Sequence, residues 1–288
     1  MLDDFSVFIL SHGRPDNVDT YKTLKRCGYT GKVYIVIDNE DKTAKQYHEN
    51  FGDKVIVFDK AAIAETFDEG DNFGDRRAVV YARNACFNIA KEIGVTYFME
   101  LDDDYTQFRY RSDSNSEYTT KGFIYNLDRM MDGYLNYFKS IQAKSIAMGQ
   151  GGDFIGGRDN GIFTSLGKRR KCMNTFICST ERYFNFVGRI NEDVNTYTWY
   201  QSLGNLFMTI PLIAVEQRET QHNDGGMTDL YLDSGTYVKS FYTVMFAPSC
   251  TKIGLMGDTH KRLHHQIKWD HAVPKIMSES YRKQKATQ

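Results

Sequence analysis

The chain reads as an α/β protein with a mostly parallel sheet flanked by helices, and three observations carry that reading. Short, almost continuously apolar runs alternate with stretches of helical period, and these runs end in polar or acidic residues. Proline is scarce, at four in 288 residues, whereas Tyr and Phe number 19 each. Near-continuous apolar strands separated by helices indicate a parallel sheet covered on both faces. Abundant aromatics suit a strand-rich, ring-packed interior.

Phe5-Ser6-Val7-Phe8-Ile9-Leu10 is the first strand; it stops at Ser11-His12-Gly13-Arg14-Pro15, and Asn17 to Cys27 follows as a helix ended near Gly28. Lys32 to Ile37 repeats the pattern, stops at Asp38-Asn39-Glu40-Asp41, and leads into a helix over Lys42 to Phe51. Val55 to Asp59 is a third strand. The stretch Ile63 to Asp75 holds Gly70, Asp71, Asn72 and Gly74 without a period, and reads as a loop able to order on a ligand. Ala78 to Ile93 carries Val79, Val80, Ala82, Cys86, Ile89, Ala90 and Ile93 at helical spacing. Gly94 stops that helix, and the apolar run Val95 to Leu101 then ends in Asp102, Asp103 and Asp104. Lys121 to Lys139 predicts another helix. Next come Ser145 to Met148, the glycine-rich Gly149 to Gly157, and a strand over Met173 to Cys178. The second half is β-richer, with Leu206 to Ile213 and Val238 to Met245 as its clearest strands. No proline- or serine-rich linker marks a boundary. Residues 1–277 are therefore expected to form one domain, followed by a polar tail over 278–288 that frays.

Charged residues make up 25% of the chain and the net charge is −1, so nothing pulls the whole molecule toward nucleic acid or membrane; any polyanion site must be a local patch. The five cysteines are odd in number, widely spaced and without a CxxC pair, which predicts reduced core thiols. Met1-Leu2-Asp3-Asp4 lacks the basic flank and apolar core of a signal peptide, and no apolar stretch approaches a membrane span. A cytoplasmic location is expected.

No G-x-G-x-x-G follows the first strand and no G-x-x-x-x-G-K-[ST] occurs, so the dinucleotide and P-loop readings lose their main support. The aspartate triplet is the strongest chemical signal. Carboxylates this close raise one another's pKa unless hydrogen bonds, an arginine or a metal offset them, and hard divalent ions prefer such oxygens. A bare acidic triplet is commonly a solvated turn, but this one ends a strand, where open α/β sheets gather ligands. Glu192 and Asp193 form a second acidic pair, at a position where a helix N-terminus by itself also favours acids. Lys168-Arg169-Arg170-Lys171 is the densest basic patch, with Arg158 nearby and with Arg109 and Arg111 set among Tyr105, Phe108 and Tyr110. Duplex phosphates would favour such a stripe, although a basic run is also commonly just a solvated face.

Leu101-Asp102-Asp103-Asp104 resembles the DxD motif of GT-A-fold glycosyltransferases. Gly188-Arg189-Ile190-Asn191-Glu192-Asp193-Val194-Asn195 resembles the later acidic element of that fold, and Tyr81-Ala82-Arg83-Asn84 matches the helix before its DxD strand. The wording of Ile9 to Pro15, of Gly188 to Asn195 and of Gly225-Gly226-Met227-Thr228-Asp229 is similar to the phage TET-associated glycosyltransferases.

That resemblance implies a GT-A-like, Rossmann-type fold, with residues 1–105 as the nucleotide-binding half and 106–277 as the acceptor-binding half. It implies a metal-dependent enzyme that moves a sugar from a nucleotide-sugar, UDP-linked, to the hydroxymethyl group of 5-hydroxymethylcytosine in bacteriophage DNA. Mn²⁺ or Mg²⁺ would be held by Asp104, helped by Asp102, and by a late histidine, with His260 and His264 ranked above His222 and with His265 in the same run. Ser11, His12, Gly13, Arg14, Asp38, Arg83, Asn84, Asp102 and Asp103 would meet the nucleotide. Arg14, Arg83 and Arg76 or Arg77 would clamp phosphate oxygens, to which planar guanidinium is suited. Asp193 would be the general base if the reaction inverts the anomeric centre, and Glu192 would orient acceptor or sugar. A modified base would have to be flipped out to react, and Gly149 to Gly157 would let backbone approach it closely. Two other readings stay open: the same chemistry on a glycan or small molecule, and a nucleotide-binding module without catalysis.

Overall fold

In a computed structural model of the chain, residues 2–115, 117–159, 170–217, 238–257 and 261–275 are described, apart from the side chains of Leu2 and Lys121. Strand β1 (Phe5–Leu10) is buried at every position, as a strand covered on both faces must be. It pairs in parallel with β2 (Lys32–Asp38) on one side and β4 (Tyr97–Asp102) on the other, and β3 (Val55–Phe58) extends the parallel set beyond β2. The register sets Leu10 beside Val36 and beside Asp102. The carboxyl ends of the central strands therefore open at one edge of the sheet, where ligands collect in open α/β folds.

Past the aspartate triplet the chain adds β5 (Tyr105–Ser112), β6 (Tyr118–Phe123), β7 (Ala143–Gln150), β8 (Phe176–Ser179) and β9 (Leu206–Gln217), giving a nine-stranded sheet of order β3-β2-β1-β4-β8-β7-β9-β5-β6. The pairings leave β8 and β5 running against the other strands. The sheet is mixed but mostly of one direction.

Alternate residues of β1 feed two cores, which follows from the two-residue period of a strand. Phe5, Val7 and Ile9 pack with Leu24 of α1 (Asp19–Arg26), Tyr47 of α2 (Ala44–Phe51) and Phe138 of α5 (Leu127–Ser140). Phe8 and Leu10 pack with Ile63 of α3 (Lys60–Ala64), Phe87 of α4 (Val80–Glu92) and Tyr197 of α6 (Glu192–Ser202). Phe87 meets Phe98 edge to face with centroids 5.0 Å apart. All five cysteines are buried and free. No helix among the described residues is long and apolar enough to cross a membrane.

Three segments differ from expectation. The helix predicted from Lys121 begins at Leu127, because residues 118–123 pair with β5 and Asn126 caps the helix by accepting from the Arg129 N–H. The strand predicted from Met173 begins at Phe176, since Asn174 takes a left-handed φ of 58°. Val238 to Met245 is helical, within a helix α7 over 238–246, despite its β-branched and aromatic content: Val238 and Tyr242, one turn apart, pack together on Ile190. His264 and His265 lie on β11 (Arg262–Ile267), which pairs antiparallel with β10 (Thr251–Met256) and is followed by a short helix α8 (Trp269–Ala272). Lys168, Arg169, His222, Gly225 to Asp229, His260 and the tail over 278–288 lie outside the described residues.

Candidate active site

A cavity of about 900 Å³ opens over the carboxyl ends of β1, β2 and β4 and extends to the start of α6 and to β11. At its β1–β2 end, Asp38 accepts from Glu40 N–H at 3.1 Å and from Lys60 Nζ at 3.2 Å, and it lies 2.7 Å from His12 Nδ1. Burial works to raise Asp38, but His12 and Lys60 outweigh it and hold the carboxyl below its ordinary value. The hydrogen bond to Asp38 raises His12 in turn, against a smaller effect of burial. Gly13, left-handed at φ 70°, donates its N–H to Asp41 at 2.8 Å, which fixes the turn after β1. Lys60 is a buried lysine just past β3 that sequence reasoning passed over; its position at a strand end was the available signal.

The three aspartates divide the work. Asp103 is a strut: it accepts from Ser11 Oγ at 2.5 Å and pairs with Arg14 at 2.9 Å, tying β4 to the loop after β1. Burial pushes its carboxyl up to about 6 against the pull of Arg14 and Ser11. Asp102 pairs with Arg83 at 3.1 Å. Asp104 keeps a buried Oδ1 with no hydrogen-bond partner among the described residues. Burial, reinforced by Asp102 and Asp103, lifts it to about 7. An unsatisfied buried carboxylate oxygen is costly unless something completes it.

Arg83, on α4, is only 2% exposed at its side chain and stands among three carboxylates. Its Nε donates to Glu192 at 3.0 Å and its Nη2 to Asp102 at 3.1 Å, while Nη1 lies 3.6 Å from Glu100. Its face packs 4.8 Å from the Phe176 ring centroid. Burial alone would lower its pKa, but the carboxylates hold it well above the usual value. A buried guanidinium so placed locks the strand bearing the triplet to the helix bearing Glu192.

Asn191 turns the chain into α6 through a left-handed φ of 58°, and its Nδ2 donates to the Lys239 carbonyl at 2.8 Å, anchoring the turn to α7. Asn174 and Asn191 are the non-glycine residues of positive φ among those described, and both line the cavity. Backbone held in that region concentrates at functional sites. Asp193 is buried in the first turn of α6, and the Val194 N–H donates to its Oδ1 at 2.7 Å. Burial and neighbouring Glu192 push its carboxyl up to about 7, against the Val194 N–H, Arg83 and Lys239. Such a carboxyl is matched to general-base work at neutral pH.

Around Asp193 the wall carries Lys171, Lys239, His264 and His265. Burial lowers Lys171 to about 8, with Asp193 opposing, and it forms an ion pair with Asp153. The His264 and His265 rings lie 4.2 Å apart, and burial lowers both, His265 to about 4. Both imidazoles are thus neutral at pH 7, the form that ligates metals.

Other residues marked in the sequence lie elsewhere. Arg76 is not at the cavity wall; its Nε donates to Glu40 at 3.0 Å, whereas Arg77 does line the cavity. Asn84 is also off the wall: its amide donates to the Phe186 carbonyl at 3.0 Å and accepts the Phe186 N–H at 2.8 Å, which pins α4 to the segment before α6. Three arginines of the expected basic stripe have ion-pair partners within the chain. Arg109 and Arg111 reach Glu216 at 2.6 and 3.3 Å, and Arg158 reaches Glu117 at 2.7 Å.

No group of three or more His, Cys, Asp or Glu side chains among the described residues is arranged to hold a metal. Asp102 and Asp104 nevertheless fit a hard divalent ion of the Mg²⁺ or Mn²⁺ kind. Such ions take one or two carboxylates and complete their shell with water and phosphate oxygens, and Asp104 Oδ1 is the oxygen left without a partner.

Residues 5–226 match the family model described as TET-Associated Glycosyltransferase. No curated protein matches the chain. Among solved structures, the chain is similar to glucosyl-3-phosphoglycerate synthase from Mycobacterium tuberculosis in complex with Mn²⁺, UDP and phosphoglyceric acid, with TM-score 0.46 and 9% identity over 91% of this chain and 86% of that chain. A second structure of that enzyme, with Mg²⁺ and UDP, aligns with TM-score 0.45 and 10% identity over 91% and 87% of the two chains. The matched segment runs from β1 through the aspartate triplet to beyond β9, taking in Arg83 and the Glu192-Asp193 turn, and the chain belongs to the TET-associated glycosyltransferase family.

Proposed function

We propose that this glycosyltransferase moves a sugar from a UDP-linked nucleotide-sugar to the hydroxymethyl group of 5-hydroxymethylcytosine in phage DNA, in the cytoplasm of the infected host. The observation that carries the reading is a single cavity with an incomplete acidic centre at Asp104 and a buried, proton-accepting carboxyl at Asp193, fastened together through Arg83. Residues 1–105 form the nucleotide-binding half in this reading and 106–277 the acceptor half. A TET-associated enzyme has hydroxymethylated cytosine as its natural acceptor, and a base inside a duplex must be flipped out to reach a recessed site.

Asp102 and Asp104 would hold Mn²⁺ or Mg²⁺, with His264 on the wall of the same cavity. The bound ion supplies neutralisation of the diphosphate as it takes on charge. Ser11, Gly13 and Arg14, braced by Asp103, shape the donor end beside Asp38 and His12, and Arg77 faces the same space. Asp193 removes the proton of the acceptor hydroxyl as that oxygen bonds to the anomeric carbon. The bond from this carbon to the diphosphate oxygen breaks, and its electron pair leaves with UDP. Arg83 keeps Glu192 and Asp102 in fixed relation, so the acceptor acid and the metal-binding strand do not drift apart.

Incubation with Mn²⁺, a panel of UDP-sugars and DNA containing either 5-hydroxymethylcytosine or cytosine tests this directly. A mass gain of one sugar on the hydroxymethylated nucleoside alone is expected after digestion. Absence of any gain on hydroxymethylated DNA across the panel sinks the acceptor assignment.

A further inference from the structure

A base swung out of a duplex loses its stacking neighbours, and enzymes that capture one supply an aromatic or apolar face in their place. The Asp193 end of the cavity has such a face. Tyr197 follows Asp193 by four residues on α6, so the two side chains share one side of that helix. Trp269, which opens α8, lies against Tyr197 with ring centroids 6.0 Å apart and planes within 14° of parallel. Both rings line the same cavity as Asp193. Tyr197 is buried, while Trp269 is only half-buried. An aromatic pair of this kind often serves the core alone, but a core pair has no reason to form the wall beside the general base.

Two further observations bear on the ligand at this end. Among the described residues, Arg109 and Arg111 pair with Glu216 and Arg158 pairs with Glu117, so these three offer less to DNA phosphates than free arginines would. Gln150, on the same wall, has a buried Nε2 without a hydrogen-bond partner among the described residues, although its side chain caps the turn that follows β7. An unmatched buried amide donor suits the acceptor atoms on a pyrimidine edge.

We infer that Trp269, backed by Tyr197, is the stacking platform for the pyrimidine ring of the acceptor. The assignment rests on the acceptor reading above and names the residue that makes it specific for a planar base. Trp269→Ala is expected to raise the KM for hydroxymethylated DNA about tenfold or more, with kcat changed little, UDP affinity unchanged, and most of the loss recovered in Trp269→Phe. An unchanged acceptor KM in Trp269→Ala, or an equal rise in KM for the nucleotide-sugar, overturns it.

A second measurement stands apart from turnover. Trp199 is the other tryptophan of the chain and does not line the cavity, so Trp199→Phe leaves Trp269 as the sole tryptophan emitter. Single-stranded oligonucleotide bearing one 5-hydroxymethylcytosine should quench that emission, and the same strand with an abasic residue at that position should not. Equal quenching by the two strands, or none by either, overturns the platform. If the wild type transfers no sugar to hydroxymethylated DNA yet binds UDP, the acceptor reading fails, and the oligonucleotide pair still decides whether Trp269 receives a base.

Discussion

Asp193 is the residue on which the chemistry turns, and its environment explains why. A carboxylate removed from water and set beside Glu192 holds its proton more tightly, while Arg83 and Lys239 limit the effect, leaving a pKa of about 7. A base must be ionised to act, so with Mn²⁺ saturating, kcat/KM should rise as pH increases through about 7 and then level off. A pH-rate profile from pH 5 to 9 checks this, and a rate flat down to pH 5 would remove Asp193 as the base. At this scale the sequence was informative about identity and silent about environment. Asp102, Asp104, Glu192 and Asp193 stand out as acids after a strand or before an apolar turn. Nothing local says that Asp103 is consumed by Ser11 and Arg14, or that Asn84 is spent on the Phe186 backbone.

Between elements, Arg83 does most to hold the site in shape. It joins α4 to β4 and to α6 through partners 19 and 109 residues away in sequence. Replacing it with Met would leave Glu100, Asp102 and Glu192 facing one another without a cation. Breaking a buried charge cluster in this way costs about 3–5 kcal/mol, and the midpoint of urea unfolding should fall accordingly. A variant as stable as the wild type would show that the cluster does not bind these elements together. Such pairings were beyond sequence reasoning because their partners are remote. Strands β1, β2 and β4 were legible, since burial on both faces writes an unbroken apolar run. Strand β5 was not, because Arg109 and Arg111 read as surface charge until Glu216, on β9, neutralises them. Residues 238–246 misled in the opposite sense, their β-branched and aromatic content pointing to a strand where Tyr242 and Val238 pack as successive turns of a helix.

For the whole molecule, the nine-stranded sheet is packed by two apolar cores that include none of the carboxylates proposed to hold the ion. Chelation should therefore leave the thermal midpoint of the ligand-free protein unchanged while weakening UDP binding severalfold or more. Calorimetric titration with UDP, with and without EDTA, separates these effects, and unfolding on chelation alone would contradict a purely donor-binding role for the metal. The central claim is that the cavity joins a donor centre at Asp102 and Asp104 to a base at Asp193. Its most direct test is single-turnover transfer to 5-hydroxymethylcytosine DNA by Asp193→Asn at saturating Mn²⁺ and UDP-sugar. The account predicts unchanged UDP affinity with transfer slowed about 10²–10⁴-fold; full turnover by that variant would contradict it.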